Sequence, residues 1–419
     1  MNSEQKVRHL ILSFLKRLLL SLLVLSPILL YLGSSMIIEA QSPLQKNPWV
    51  HWNGIDPHTE AYISWETESK VDSTVEYGFE KENLYLSKEF SAQTFMHRVK
   101  LEGLPANKKI FYRAKSSEGR YISPIQSFKT APETQPDYFK PFNVTFISDT
   151  QQLWGTGHFD TITKAIDEYV DTEFLGIAGD VGQTEDDQDT WNFFWKHANK
   201  VSDTLPIITV PGNHDDPDNN ESLYLKYFGN TTNQMDCYYA FNWSNVQFTM
   251  MEIANMGDRN PYEAEDNLRA YTWLNETLKK GLKQKYRVLV FHRQIFSSLG
   301  NDETLLKYLK PVIEEYNVSL TLYGHKHGYE RFYSEGFNYI CLGGGGGLQN
   351  SYMKPQKITQ SAAMGASFTK LFFDSESITI KTLSPSYDII DQIRLNYENG
   401  MMRPETITPY GNESPEVAF

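Results

Sequence analysis

Ile207-Ile208-Thr209-Val210-Pro211-Gly212-Asn213-His214-Asp215 decides how this sequence folds. Its first four residues form a β-branched run that reads as a short buried strand, and Pro-Gly stops it abruptly. An amide, an imidazole and a carboxylate then follow at consecutive positions. Open α/β sheets carry their chemistry outside the carboxyl ends of parallel strands. Alone, the stretch fits an ordinary turn equally well, with Gly at the bend and Asn and Asp as turn formers. The flanking sequence separates the two readings.

Upstream, residues 142–149 read as a strand ending in Asp149, 159–170 as a helix, and 174–180 as a strand ending in Asp180. An aromatic helix around Trp191 to Trp195 leads into the opening stretch. Downstream, strands over 246–253, 287–292 and 318–327 alternate with helices over 271–285 and 304–316. A strand over 338–342 runs into glycines 343–347, and 368–373 with 377–382 reads as a closing hairpin. Strands alternating with helices predict a layered α/β domain over 141–395. Before it, five short alternating runs between residues 61 and 130 predict an antiparallel β-sandwich over 45–132. The three prolines in 131–141 mark a linker, and 396–419 is expected to be a flexible C-terminal tail.

The 419 residues carry a formal charge of −13, which excludes the diffuse basic footprint of a nucleic-acid binder. Residues 18–38 contain no charged side chain and follow a basic segment, 1–17, with Lys6, Arg8, Lys16 and Arg17. Such a run is long enough to span a bilayer with its basic flank in the cytoplasm. A single-pass anchor with everything downstream outside the cytoplasm is therefore expected; secretion after signal cleavage near Ala40 is the alternative. Cys237 and Cys341 are too few for a disulfide framework and read as two buried thiols.

Five strand ends now carry Asp149, Asp180, Asn213-His214, His292 and His325-x-His327 in order. One Asp after a strand is a cap or turn, and one His is usually a core residue. Five in succession form a set of carboxylates, imidazoles and an amide suited to divalent ions.

The series Asp149, Gly179-Asp180, Gly212-Asn213-His214-Asp215, His292 and Gly324-His325-Lys326-His327 resembles the calcineurin-like metallophosphoesterases. "GHKHGYER", the glycine run after "YICL" and the leading fibronectin type III-like module resemble the purple acid phosphatase branch. The resemblance implies two sheets flanked by helices and two divalent ions drawn from Mn, Fe, Zn or Mg. It implies that Asp180 bridges them, with Asp149 and His327 on one side and Asn213, His292 and His325 on the other. Metal-bound hydroxide would attack a phosphate ester, His214 would act as general acid, and Asp215 would support it.

Three positions depart from the family pattern. Gln151 stands where a His is usual, so the first metal site is expected to be looser. Gln183 replaces the metal-bound Tyr, so neither purple colour nor a redox-active ferric site carries over. His292-Arg293-Gln294 replaces His-x-Pro. Asn213, His214, Arg331 and His158 are the candidates for substrate contact, and Trp154 is a candidate for lining the pocket. Phosphomonoester hydrolysis is the first expectation. Hydrolysis of nucleotide or lipid-headgroup diesters is the second, and a non-catalytic extracellular binding protein is the third.

Overall fold

The computed structural model describes residues 46–116, 119, 121–152, 157–168, 171–184, 186–215, 222–229, 237–253, 265–350 and 353–406. The expected membrane segment at 18–38, Trp154 and most of the polar loop 216–236 lie outside them. Among the described residues, no helix is long and apolar enough to cross a membrane.

The N-terminal domain holds β1 (Lys46–His51), β2 (Ala61–Gly78), β3 (Leu86–Leu101), β4 (Lys109–Lys115) and β5 (Gln126–Lys129). All pairings are antiparallel. Two strands expected at 61–67 and 73–77 are one strand, because bulges between Glu66 and Ser73 carry the ladder through the polar Glu68-Ser69-Lys70 interruption. Residues from both ends of that long strand, Ile63 and Val75, share one core with Tyr112 and Phe128.

The second domain has two seven-stranded sheets. One contains β6 (Phe142–Ile147), β7 (Leu175–Ala178) and β8 (Ile207–Val210) in parallel. It is extended by β16 (Phe368–Phe373), β17 (Ser377–Leu383), β18 (Ile389–Glu398) and β19 (Met401–Pro404). The other contains β9 (Tyr239–Trp243), β10 (Val246–Met250), β11 (Tyr286–Val290), β12 (Leu320–Tyr323), β13 (Tyr329–Ser334), β14 (Phe337–Leu342) and β15 (Thr359–Ala363). Here β10, β11, β12 and β14 are parallel. The expected flexible tail is corrected in part: β19 pairs with β18 through Leu395, Asn396, Tyr397 and Glu398 and buries Met402. Its two-residue Asn399-Gly400 turn was the sequence signal for that hairpin.

The sheets face each other across aromatic side chains, with Phe146 stacked on Phe248 at 6.1 Å and Phe142 edge-on to the same ring at 6.4 Å. Helices α1 (Phe159–Glu168) and α2 (Gln188–Ser202) cover the outside of the first sheet. Helices α4 (Glu265–Gly281) and α5 (Glu303–Glu315) cover the second. A short α3 (Leu223–Phe228) follows the β8 loop. Apolar faces on both sides of each sheet explain why the parallel strands read as continuous hydrophobic runs. The two thiols are buried and neither forms a disulfide.

The domains share a buried seam rather than a loose linker. Trp49 of β1 lies against Trp195 of α2 at 4.1 Å, and Lys46 reaches Asn192 at 3.2 Å. Within the first domain, His97 is 1% exposed, stacked on Trp65 and bonded to Thr67 Oγ1 and Ser73 Oγ at 2.8 Å each. Burial holds its imidazole down to about 4, against the opposing pull of Asp72 and Glu66. The unfolded chain therefore binds a proton at higher pH than the folded one. Stability should be fully present above pH ~6.5 and fall toward pH 4, with a slope of up to ~1.4 kcal/mol per pH unit from this group. Urea unfolding of the wild type and His97→Gln across that range should show the steeper decline in the wild type. Equal slopes would exclude His97 as the cause.

Candidate metal centre

Every ligand expected from the sequence stands just past the carboxyl end of a parallel strand: Asp149 after β6, Asp180 after β7, Asn213 after β8, His292 after β11, and His325 and His327 after β12. Main-chain bonds pull these ends together across the two sheets. Ser148 N donates to Leu342 O at 3.1 Å, Asp149 N to Gly179 O at 3.0 Å, and Gly324 N to His292 O at 2.9 Å. His325 N donates to both carboxylate oxygens of Asp149, at 3.1 and 3.0 Å. Asp149, Asp180 and His325 adopt left-handed backbone, with φ of 61°, 53° and 68°. That conformation is uncommon for residues other than glycine and gathers at functional sites. Gly212 is required by close approach, since a Cβ there would lie 2.1 Å from Asp180 Oδ1.

Two ligand groups result, Asp149–Asp180–His327 and Asp180–His292–His325, with Asp180 common to both. Asp149, Asp180 and His292 form a floor that is at most 1% exposed, while Asn213, His214, His325 and His327 form an accessible rim.

The donor geometry fits bound cations. His292 Nδ1 bonds Ala178 O at 2.8 Å, and a carbonyl only accepts, so Nδ1 carries the hydrogen. Its Nε2 then aims a lone pair at Asp180 Oδ2, 3.1 Å away. His327 repeats the arrangement, with Nδ1 on Leu348 O and Nε2 3.3 Å from Asp149 Oδ1. A lone pair opposed to a carboxylate in a dry site needs a proton or a metal ion between them. Burial would lower His292, but Asp180 and then Asp149 raise it to about 9. Burial would likewise raise Asp180, yet His292 brings it to about 2. Asp149 is raised by burial, and burial with His292 beside it takes His325 down to about 3.

Residues 142–329 match the calcineurin-like phosphoesterase family, and 47–130 match the purple acid phosphatase N-terminal domain. The chain carries a calcineurin-like phosphoesterase domain behind a purple acid phosphatase N-terminal domain. It is 26% identical to purple acid phosphatase 21 of Arabidopsis thaliana over 332 residues, 70% of this chain and 71% of that one. A solved purple acid phosphatase from yellow lupin (Lupinus luteus) seeds aligns with a TM-score of 0.71 at 17% identity, covering 84% of this chain and 74% of the other. PhoD aligns with a TM-score of 0.62 at 12% identity over 89% and 94%. These two likenesses concern the fold.

In this phosphoesterase, Gln151 joins the cluster with its Nε2 3.0 Å from Asp180 Oδ2 and 3.3 Å from His327 Nε2. Its buried Oε1 has no hydrogen-bond partner. A half-turn of the amide exchanges the two atoms and presents the oxygen to an ion held by Asp149, Asp180 and His327. Gln183 does not enter either ligand group. Its carbonyl accepts from His214 Nδ1 at 2.8 Å and its amide nitrogen lies 3.3 Å from the same atom, so it orients that imidazole. His214 N also donates to Asp180 Oδ1 at 3.0 Å. The sequence flagged Gln183 only as a missing tyrosine, because its bond to His214 uses main chain. The Ala178 and Leu348 carbonyls that orient His292 and His327 carry no residue-type signal either.

Two expected roles, those of Asp215 and Arg331, are corrected. Asp215 is fully buried, with its carboxylate accepting from Gly212 N at 2.8 Å, Gly182 N at 2.9 Å and Val181 N at 3.1 Å. It fastens the β7 and β8 exits together and has no free oxygen for His214; burial and then the charge of Asp180 raise its carboxyl to about 7. Arg331 is buried against Asp391, with bonds of 2.6 and 3.1 Å, and Tyr329 shares that carboxylate at 2.7 Å. It ties β13 to β18. His158 is exposed at the start of α1, where its main-chain nitrogen bonds Gly346 O at 2.8 Å. Its ring takes no part in the contacts that build the cluster. The glycine run itself behaves as expected, donating from Gly345 N to Ser148 O at 2.9 Å and from Gly347 N to Asp149 O at 2.7 Å.

A neutral amide oxygen binds borderline divalent ions less strongly than imidazole. Gln151→His should therefore tighten one of two sites for Mn(II) about tenfold or more, read by calorimetric titration of the metal-stripped protein. Unchanged affinity at both sites would show that residue 151 stands outside the coordination sphere.

Proposed function

We propose that this chain is an exported, dinuclear-metal phosphomonoesterase in which Asn213, His214 and the His pair of β12 face the ester from the accessible rim. The shared Asp180, common to both ligand groups and only 1% exposed, is the observation that carries the reading. When bound, the ion pair supplies Lewis acidity and ionises a water near neutral pH. The residues that hold it on one side are Asp149, Gln151 and His327, and on the other Asn213, His292 and His325.

The chain itself supplies the proton. His214 donates Nδ1–H to the Gln183 carbonyl, which leaves Nε2 to carry a second proton toward the departing alkoxide. Its main-chain N–H is tied to Asp180, so the acid is held in register with the metal cluster. No carboxylate touches the imidazole among the described residues, and the ring itself is held by the Gln183 carbonyl. The metal identity proposed is Mn, Mg, Zn or Fe(II), with the neutral Gln151 favouring the harder ions on its side. Purple colour is not expected, because Gln183 has no phenolate to offer. The sandwich, with 26%-identical purple acid phosphatase 21 sharing the same length of chain, supports a monoester over a diester substrate. The uncharged run 18–38 behind its basic flank supports anchoring with the catalytic domain outside the cytoplasm.

Asp180→Asn should remove metal and activity together, measured by elemental analysis beside turnover of an aryl phosphate. Full activity in that variant would overturn the dinuclear reading. His214→Ala should retain both metals and slow alkyl phosphates by ~10²–10⁴, with a much smaller loss on activated aryl phosphates that need no acid. An equal loss on both would remove His214 from the proton-donor role.

A further inference from the structure

The α3 helix has only six residues, too few to stand alone, and its last carbonyls have no helical partners. Two side chains of the N-terminal domain take them in sequence. Arg98 of β3 donates from Nη2 to Lys226 O at 3.0 Å and Tyr227 O at 3.1 Å, and from Nη1 to Gly229 O at 2.8 Å. Asn53 Nδ2 donates to Phe228 O at 2.6 Å. Lys226 and Tyr227 also turn back to the buried Glu66 of β2, the tyrosine hydroxyl at 3.0 Å.

The other end of α3 is fastened to the chemistry. Ser222 Oγ caps Tyr224 N at 3.2 Å and donates to Asp215 O at 2.7 Å. Tyr224 OH bonds Thr209 Oγ1 of β8 at 2.8 Å. Asp215 in turn receives the amides of Gly212, at the start of the turn that bears Asn213 and His214, and of Val181 and Gly182, past the end of β7. An unbroken series of bonds therefore runs from Arg98 through α3 and Ser222 to the proton donor. The floor ligands Asp149 and His292 have separate anchors, on β14, Gly179 and Ala178.

We infer that Arg98, a residue of the N-terminal domain, is a positioning residue for the Asn213-His214 turn, acting through the capped end of α3. This rests on His214 being the proton donor. The guanidinium suits the place because one planar group reaches three carbonyls in a fixed fork, and a cation complements the carboxyl end of a helix. Releasing α3 lets Ser222 withdraw from Asp215 and the His214 ring drift. Misplacement by about 1 Å costs ~10² in rate when the geometry of attack or proton transfer depends on it.

The test is the leaving-group dependence of kcat for Arg98→Ala, Arg98→Lys and Asn53→Ala in the metal-loaded full chain, beside His214→Ala and Glu76→Ala. Glu76 pairs with Arg113 and Lys115 within the N-terminal domain and has no bond to α3. Arg98→Ala is expected to lower kcat about tenfold to a hundredfold on alkyl phosphates, with far less effect on activated aryl phosphates, unchanged KM and two metals retained. Arg98→Lys should recover part of the loss, Asn53→Ala should show a weaker form of it, and Glu76→Ala should keep the wild-type dependence. If Arg98→Ala does not fold, the Lys and Asn53 variants carry the comparison. Wild-type dependence in the Arg98 and Asn53 variants, with His214→Ala selectively impaired on alkyl esters, would overturn the inference while leaving the acid assignment intact. Absence of selectivity in His214→Ala would overturn the assignment on which both rest.

Discussion

The Asp180 carboxylate is a negative charge fixed in a dry place, and the arrangement around it follows from that. One oxygen takes the His214 amide, and the other faces His292 Nε2 and the Gln151 amide. Such a charge is tolerable only when neutralised, so both sheets must bring cationic or metal-bound partners to it. The parallel strands of one sheet supply Asp149, Asp180 and Asn213, and those of the other supply the histidines. Neither sheet holds a complete site alone. The left-handed backbone at Asp149, Asp180 and His325 turns these side chains inward at the point where each strand would otherwise continue outward.

Exposure divides the cluster by task. The floor is closed to water, which keeps ligands oriented and strengthens their electrostatics. The rim, with Asn213, His214, His325 and His327, is open to solvent. His214 belongs to the rim, yet its ring is held by a main-chain carbonyl and its backbone by Asp180. The imidazole is thus held at two points while its outer nitrogen stays available. Gln183 differs from a tyrosine in its side chain, which offers no phenolate, while the carbonyl that orients His214 belongs to the main chain.

Most of this was legible before any coordinates because strand periodicity and ligand chemistry coincide. A buried parallel strand shows as a short apolar run, and a metal ligand shows as an out-of-place Asp or His at its end. Asp149, Asp180, His292, His325 and His327, which meet in the two ligand groups, follow from that coincidence. What failed had its cause elsewhere in the chain. Arg331 looked like a substrate group because its partner Asp391 lies 60 residues later. Asp215 looked catalytic because its neighbours are; only three backbone amides, which no side-chain pattern announces, make it structural. Bulges hid the continuity of β2, since they let exposed polar residues interrupt an otherwise alternating strand. The dependence of α3 on Arg98 was invisible for the same reason: guanidinium-to-carbonyl bonds leave no mark at the carbonyl end.

The first catalytic strand has as its neighbour a segment that arrives very late. Phe146 of β6 pairs with Thr369 of β16, and β17, β18 and β19 complete that sheet from the last part of the chain. On a ribosome, β6, β7 and β8 emerge together while the edge that β16 will cover stays open. Asp149 and Asp180 therefore wait, on an unfinished sheet, through the synthesis of more than two hundred residues. Long-range pairing of this kind slows folding and leaves strand edges exposed meanwhile. Emergence of β16 to β19, more than the appearance of any ligand residue, sets the moment at which a nascent molecule acquires a finished sheet beneath Asp149 and Asp180.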